Sequence, residues 1–95
     1  MVSFTVRMRF DEGDRDKVEG LLRHLAKASR QEPGCVSYIA HFVEEEPATV
    51  VIYEQYADEA ALEAHRRSAH FDTYAIGGLF TLVRERQLEK LTAIA

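Results

Sequence analysis

Along this chain the apolar residues switch from a period of two to a period of 3.6 and back, twice over, and that order restricts the fold more than any other feature. In residues 2–10, Val2, Phe4, Val6, Met8 and Phe10 point one way and Ser3, Thr5, Arg7 and Arg9 the other, which makes a strand with one strongly apolar face. Asp11-Glu12-Gly13-Asp14 reads as a turn with Asp14 as a helix N-cap. Val18, Leu21, Leu22, Leu25 and Ala28 then recur at helical spacing over about 14–31. Glu32-Pro33-Gly34 stops that helix, because proline cannot continue it and glycine frees the backbone.

Residues 35–43 form a second strand, residues 44–48 an acidic loop, and Thr49 to Tyr56 a third strand rich in β-branched and aromatic side chains. Asp58-Glu59 opens a second helix through Leu62 and His65, with Ser68 as a point where it can break before a further turn through Phe71 and Tyr74. Residues 76–83 also fit helical spacing, and the last strand is expected at about 86–94. The order is β-α-β-β-α-β. Right-handed crossovers turn it into an α+β, ferredoxin-like fold: one four-stranded antiparallel sheet with helices on one face. No linker or low-complexity stretch divides the 95 residues, so a single domain over 1–95 is expected.

The second and third strands are apolar on both faces: Val36, Tyr38 and Phe42 against Ile39 and Val43, then Val50 and Ile52 against Val51 and Tyr53. Helices on one side cover only one face. The side chains of one such face left in water would forgo ~1.5–3 kcal/mol each, on the order of 10 kcal/mol together, comparable to the stability of a whole domain. A homodimer through the sheet faces is the expected cover.

Several classes of function are disfavoured. Twelve Lys+Arg against 16 Asp+Glu give a net charge of −4, the wrong sign for a nucleic-acid footprint. No apolar run approaches the ~18 residues of a membrane span, and the alternating N-terminus lacks a signal peptide's apolar segment. One cysteine, Cys35, makes no internal disulfide, which suits a reducing cytoplasm. It reads as a small buried hydrophobe rather than a reactive thiol. Phosphate-cradling glycine loops, dinucleotide fingerprints and nucleophile elbows are absent from the sequence.

Glu32-Pro33-Gly34-Cys35, Tyr38, the run from Tyr53-Glu54-Gln55-Tyr56 through His65, and Ser68-Ala69-His70-Phe71 together resemble the antibiotic biosynthesis monooxygenase (ABM) family. The resemblance covers essentially the whole chain. It implies a dimeric α+β barrel and one of several activities: oxygenation of quinols or anthrones without metal or flavin, haem degradation, isomerisation of a small sugar phosphate, or a stress-associated role. Members often carry Trp where Tyr56 stands here, and in some oxygenases that indole is thought to contact substrate. The haem-degrading branch needs an Asn, a Trp and a His where this chain has Val6, His65 and Ala75, so haem degradation is not expected.

His65 and His70 are the leading titratable pair, since an imidazole can act as a base near neutrality. Five residues on an unbroken helix turn about 140°, so the two converge only if the helix breaks near Ser68. Otherwise His65 is a helix-surface residue bonded to a neighbour. The spacing differs from that of a zinc-binding His-Glu-x-x-His helix, and no Cys or second carboxylate completes a set, so neither metal nor other cofactor is expected. Arg7 and Arg9 share the polar face of the first strand, with Glu54 on the neighbouring strand as the expected partner, either in a structural ion pair or lining a pocket. Of Tyr38, Tyr53, Tyr56, Phe71 and Tyr74, about two are expected to touch a ligand and the rest to be core.

The expected chemistry is cofactor-independent oxygenation of a hydroquinone or anthrone by O2, with His65 and His70 as catalytic candidates and Tyr38, Glu54, Tyr56, Phe71 and Arg7 as substrate-binding ones. The alternatives are an isomerase that holds an anion with Arg7, Arg66 or Arg67, and a non-catalytic ligand-binding dimer.

Overall fold

A computed structural model describes residues 1–95. Strand β1 (Val2–Arg9) leads through a 3₁₀ turn (Glu12–Asp14) into helix α1 (Arg15–Ser29). Strands β2 (Cys35–Phe42) and β3 (Thr49–Tyr56) follow, then helix α2 (Glu59–Arg66). A π-helical segment, Phe71–Leu79, runs into a single turn of helix, α3 (Phe80–Leu82), before strand β4 (Glu85–Leu91). The sheet order is β2-β3-β1-β4 and each of the three pairings is antiparallel, the ferredoxin-like arrangement expected from the periods. The residues that fit helical spacing at 76–82 are helical, and the last strand starts one residue earlier than expected and ends at Leu91.

Register decides which side chains meet. Phe4 stands opposite Glu54, Val6 opposite Ile52 and Met8 opposite Val50 on the face that the helices cover. On that face Phe4, Val6, Met8, Tyr38, Val50, Ile52 and Tyr56 join Val18, Leu22, Leu25 and Ala26 of α1, with Ala75 and Leu79 of the π segment, in one core. Each large apolar side chain buried there is worth ~1.5–3 kcal/mol. On the other face Arg7 faces Val51 and Thr5 faces Tyr53. Ile39 pairs with Tyr53 there and is 49% exposed. A bulge between Cys35 and Ser37 breaks the alternation of β2 and leaves Val36 equally exposed.

Two close approaches fix where the site forms. A Cβ at Gly34 would lie 2.3 Å from the Cβ of Ala61, so the turn after α1 lies directly against α2. No glycine has positive φ; Gly34 is required for room, not for the backbone freedom its sequence context suggests. Gly78 similarly lets the π segment settle on Leu21 of α1, whose Cδ2 lies 2.9 Å from the place a Cβ would take. The Asp58 carboxylate accepts from the Ala61 amide at 2.8 Å and starts α2, an N-cap contact worth ~1 kcal/mol.

Candidate functional site

Helix α2 ends at Arg66, and Ser68 makes the break that the sequence allows. Its hydroxyl donates to the His65 carbonyl at 2.7 Å and accepts from the Phe71 amide at 3.1 Å, tying off one helix and opening the next segment. The chain turns between His65 and His70, and both imidazoles come to face the same carboxylate, that of Glu32 in the turn after α1.

His65 Nδ1 lies 2.8 Å from Glu32 Oε2, and His70 Nε2 contacts the same oxygen. The other ring nitrogen, His65 Nε2, stands 3.7 Å from Glu54 Oε1, which accepts a 2.7 Å hydrogen bond from the Tyr56 hydroxyl. The polar groups thus form one row, His70–Glu32–His65–Glu54–Tyr56, drawn from one strand, one turn and two helical elements. Rings enclose it: Tyr56 and Phe71 lie 5.1 and 5.2 Å from His65, and Tyr38 lies 5.9 Å away.

Burial governs the electrostatics. Glu54 is 5% exposed and its pKa is pushed up to about 7, because desolvation outweighs the Tyr56 hydrogen bond and the charges of Arg66 and Arg86. Desolvation also holds His65 below the ordinary histidine value, against the pull of Glu32. Burial raises the Tyr38 and Tyr56 phenols, with the Glu54 charge adding to it, so both stay protonated donors. The Cys35 thiol is raised too, chiefly by desolvation, although the side chain is only partly buried and not the fully buried one expected.

Between sheet and helices lies a cavity of about 40 Å³. Phe4, Val6, Met8 and Leu88 make its apolar floor, Glu54 and His65 its buried polar wall, and the exposed Arg66 and Arg86 its solvent side. Tyr38 and Phe71 line it; Tyr56 stands behind Glu54, Tyr53 is on the far face of the sheet, and Tyr74 stacks on His24 at 5.2 Å. Two of the five candidate aromatics thus reach the cavity. Val6 and Ala75 are part of its apolar lining.

Arg7 is not in this site. It projects from the opposite face of β1 and pairs with Glu46, while Arg9 pairs with Glu85 at 3.1 Å. The expected Arg7–Glu54 pair fails because antiparallel register sets Glu54 against Phe4, on the other side of the sheet. His65 is 2% exposed, not a helix-surface residue. His70 reaches Glu32 without lining the cavity. Glu32 is the residue that sequence reasoning missed: it reads as part of a helix-stopping turn, and only the folded chain brings it to the two histidines. Its carboxylate and the two ring nitrogens lie within 4.8 Å of one another, a donor set that the sequence had not supplied.

A four-stranded antiparallel sheet with a carboxylate–imidazole row on the wall of an apolar cavity defines a small α+β protein of ferredoxin-like fold. The family profile described as antibiotic biosynthesis monooxygenase matches residues 1–75. The chain belongs to the antibiotic biosynthesis monooxygenase family. Among solved structures it is similar to a Bacteroides thetaiotaomicron protein provisionally named an antibiotic biosynthesis monooxygenase, with 30% identity, TM-score 0.92, and 99% of this chain and 90% of that one covered. The Pseudomonas aeruginosa protein PA3566 matches at 28% identity and TM-score 0.90, over 99% and 94% of the two chains. A further antibiotic biosynthesis monooxygenase, 24% identical, shares the fold over 100% of both chains at TM-score 0.92. None of the curated proteins matches the chain in sequence.

Proposed function

We propose that this chain is a cofactor-independent monooxygenase that oxidises small electron-rich aromatics of the quinol or anthrone type with O2, working as a homodimer through its uncovered sheet face. The observation that carries this reading is the Glu54–His65 pair set into the wall of an otherwise apolar cavity between sheet and helices. Family membership supports it. With an anthrone, the pair takes the proton that leaves the substrate, and Glu32 holds the His65 ring in place. The substrate anion gives one electron to O2, and the two radicals combine at carbon. Loss of water from the resulting peroxide leaves a carbonyl, so one oxygen atom stays in product, one leaves as water, and the substrate supplies every electron. Apolar walls exclude bulk water from the radical pair.

The cavity of about 40 Å³ holds a water molecule or two, whereas a cavity that takes benzene measures ~150 Å³. Ligand binding therefore requires the π segment, which contributes Phe71, Ala75 and Leu79 to the wall, to move outward. The isomerase reading loses support from geometry: Arg7 is on the far face and the exposed Arg67 is paired with Glu63 at 3.0 Å, leaving Arg66 of the three arginines at the cavity.

Oxygen uptake by metal-stripped protein, measured against a panel of hydroquinones and anthrones, tests the proposal. Turnover above autoxidation that falls ~10²-fold in His65→Ala is the expected result. A loss under threefold removes His65 from the mechanism, and no uptake with any substrate overturns the oxygenase reading.

A further inference from the structure

The row of polar groups has a second side, turned away from the cavity, where Glu32, His65 and His70 meet. Two imidazoles converge on one carboxylate oxygen, Glu32 Oε2. The other oxygen of that carboxylate, Oε1, is buried and has no hydrogen-bond partner. A buried carboxylate oxygen without a partner is costly, and native proteins satisfy such groups with water or a cation. From these facts we infer that Glu32, His65 and His70 form a binding site for a single divalent transition-metal ion of the zinc, cobalt or iron(II) type.

The donor set matches such an ion. Two histidines and one carboxylate are a recurrent ligand set for these metals, and nitrogen donors select them over magnesium and calcium, which prefer all-oxygen sites. The three ligand atoms lie within 4.8 Å of one another. Donors bound to one ion at ~2.0–2.2 Å stand ~3–3.5 Å apart, so side-chain shifts of about an ångström bring all three into range. His65 coordinates through Nδ1 and His70 through Nε2, the nitrogens that already face Glu32. The proton on His65 then sits at Nε2, toward Glu54 Oε1 3.7 Å away, which is the carboxylate–histidine–metal order that orients and strengthens metal-binding imidazoles. Further coordination positions open toward solvent through His70, whose side chain is 20% exposed, whereas that of His65 is 3% exposed.

Three elements supply the ligands, all anchored to α2: Glu32 through the turn that Gly34 packs against it, His65 from within it, and His70 through the Ser68 break at its end. The remaining histidines offer no comparable set. His24 stacks on Tyr74, and His41 bonds the Val51 carbonyl on the other face of the sheet.

This site goes beyond the oxygenase reading and is tested without substrate. Purified, chelator-treated protein is titrated with Co²⁺ and Zn²⁺, with Mg²⁺ in parallel, following the Co²⁺ ligand-field absorption and competition with a chromophoric chelator. The expected result is one ion per chain, no comparable Mg²⁺ binding, and histidine ring ¹⁵N shifts with Zn²⁺ at His65 Nδ1 and His70 Nε2. Glu32→Gln and His70→Ala each weaken binding about 100-fold, while His24→Ala leaves it unchanged. His70→Ala replaces a partly exposed side chain, so circular dichroism is expected to show it folded; should it unfold, Glu32→Gln decides alone. Co²⁺ binding no tighter than that of Mg²⁺, binding that survives both ligand substitutions, or binding lost in His24→Ala overturns the site. Oxygen uptake by the metal-stripped protein is a separate measurement, so either proposal can fail without the other.

Discussion

Glu54 is where the residue-scale costs concentrate. Its folded pKa, about 7, lies above the ordinary glutamate value of 4.5, so folding favours the protonated carboxyl. The stability this gives is full below about pH 4.5 and is lost as pH rises through about 7. Glu54→Gln keeps an acceptor for the Tyr56 hydroxyl and removes the charge. At pH 8 the variant is expected to be more stable by about 1–3 kcal/mol, with no gain at pH 4, and to lose turnover. Denaturation midpoints at the two pH values check it, and equal gains at both would sink the electrostatic account. Such a residue was half legible in the sequence. Period two already places Glu54 with Val50, Ile52 and Tyr56 on the core side of β3, away from Arg7, and applying that period to both strands would have separated the pair. Glu32 was not legible, because nothing local marks a turn glutamate whose partners lie 33 and 38 positions away.

At the scale of elements, the sequence signals were strongest where one residue does one physical job. Asp58 starts α2 and Ser68 breaks the helix between the histidines, and each stands where its chemistry requires, whereas α1 already ends at Ser29, four residues before Pro33. Gly34 has a second role that no local pattern reveals, because its neighbour Ala61 comes from a different element. Gly34→Ala is expected to cost about 1–3 kcal/mol by forcing α2 away from the turn and drawing His65 from Glu32. Ala61→Gly in the same chain should restore most of it, since the clash is between two Cβ atoms. Denaturant midpoints of the three variants check this, and no recovery in the double variant would place the strain elsewhere. The π winding of residues 71–79 was beyond sequence reading altogether: Ile76, Leu79 and Phe80 satisfy ordinary helical spacing, and nothing local distinguishes i+4 from i+5 bonding.

For the whole molecule, the sheet face opposite the helices carries the largest expectation. Val36 and Ile39 are each 49% exposed and Leu91 43%, with Val51 and Tyr53 between them on that surface. Sedimentation of the wild-type chain at micromolar concentration is expected to give a dimer. Val51→Arg, which sets a second guanidinium opposite Arg7, is expected to give a folded monomer. A wild-type monomer would refute pairing through the sheet, and a dimeric V51R would move the interface elsewhere. No helix is long and apolar enough to cross a membrane. The cavity of about 40 Å³ has a kinetic corollary. A chamber smaller than its guest is filled at the pace of the protein's own breathing, not of diffusion. Observed association rates should therefore climb with ligand concentration and then level off, and the plateau is the frequency with which nine π-wound residues unwind enough to admit a ring.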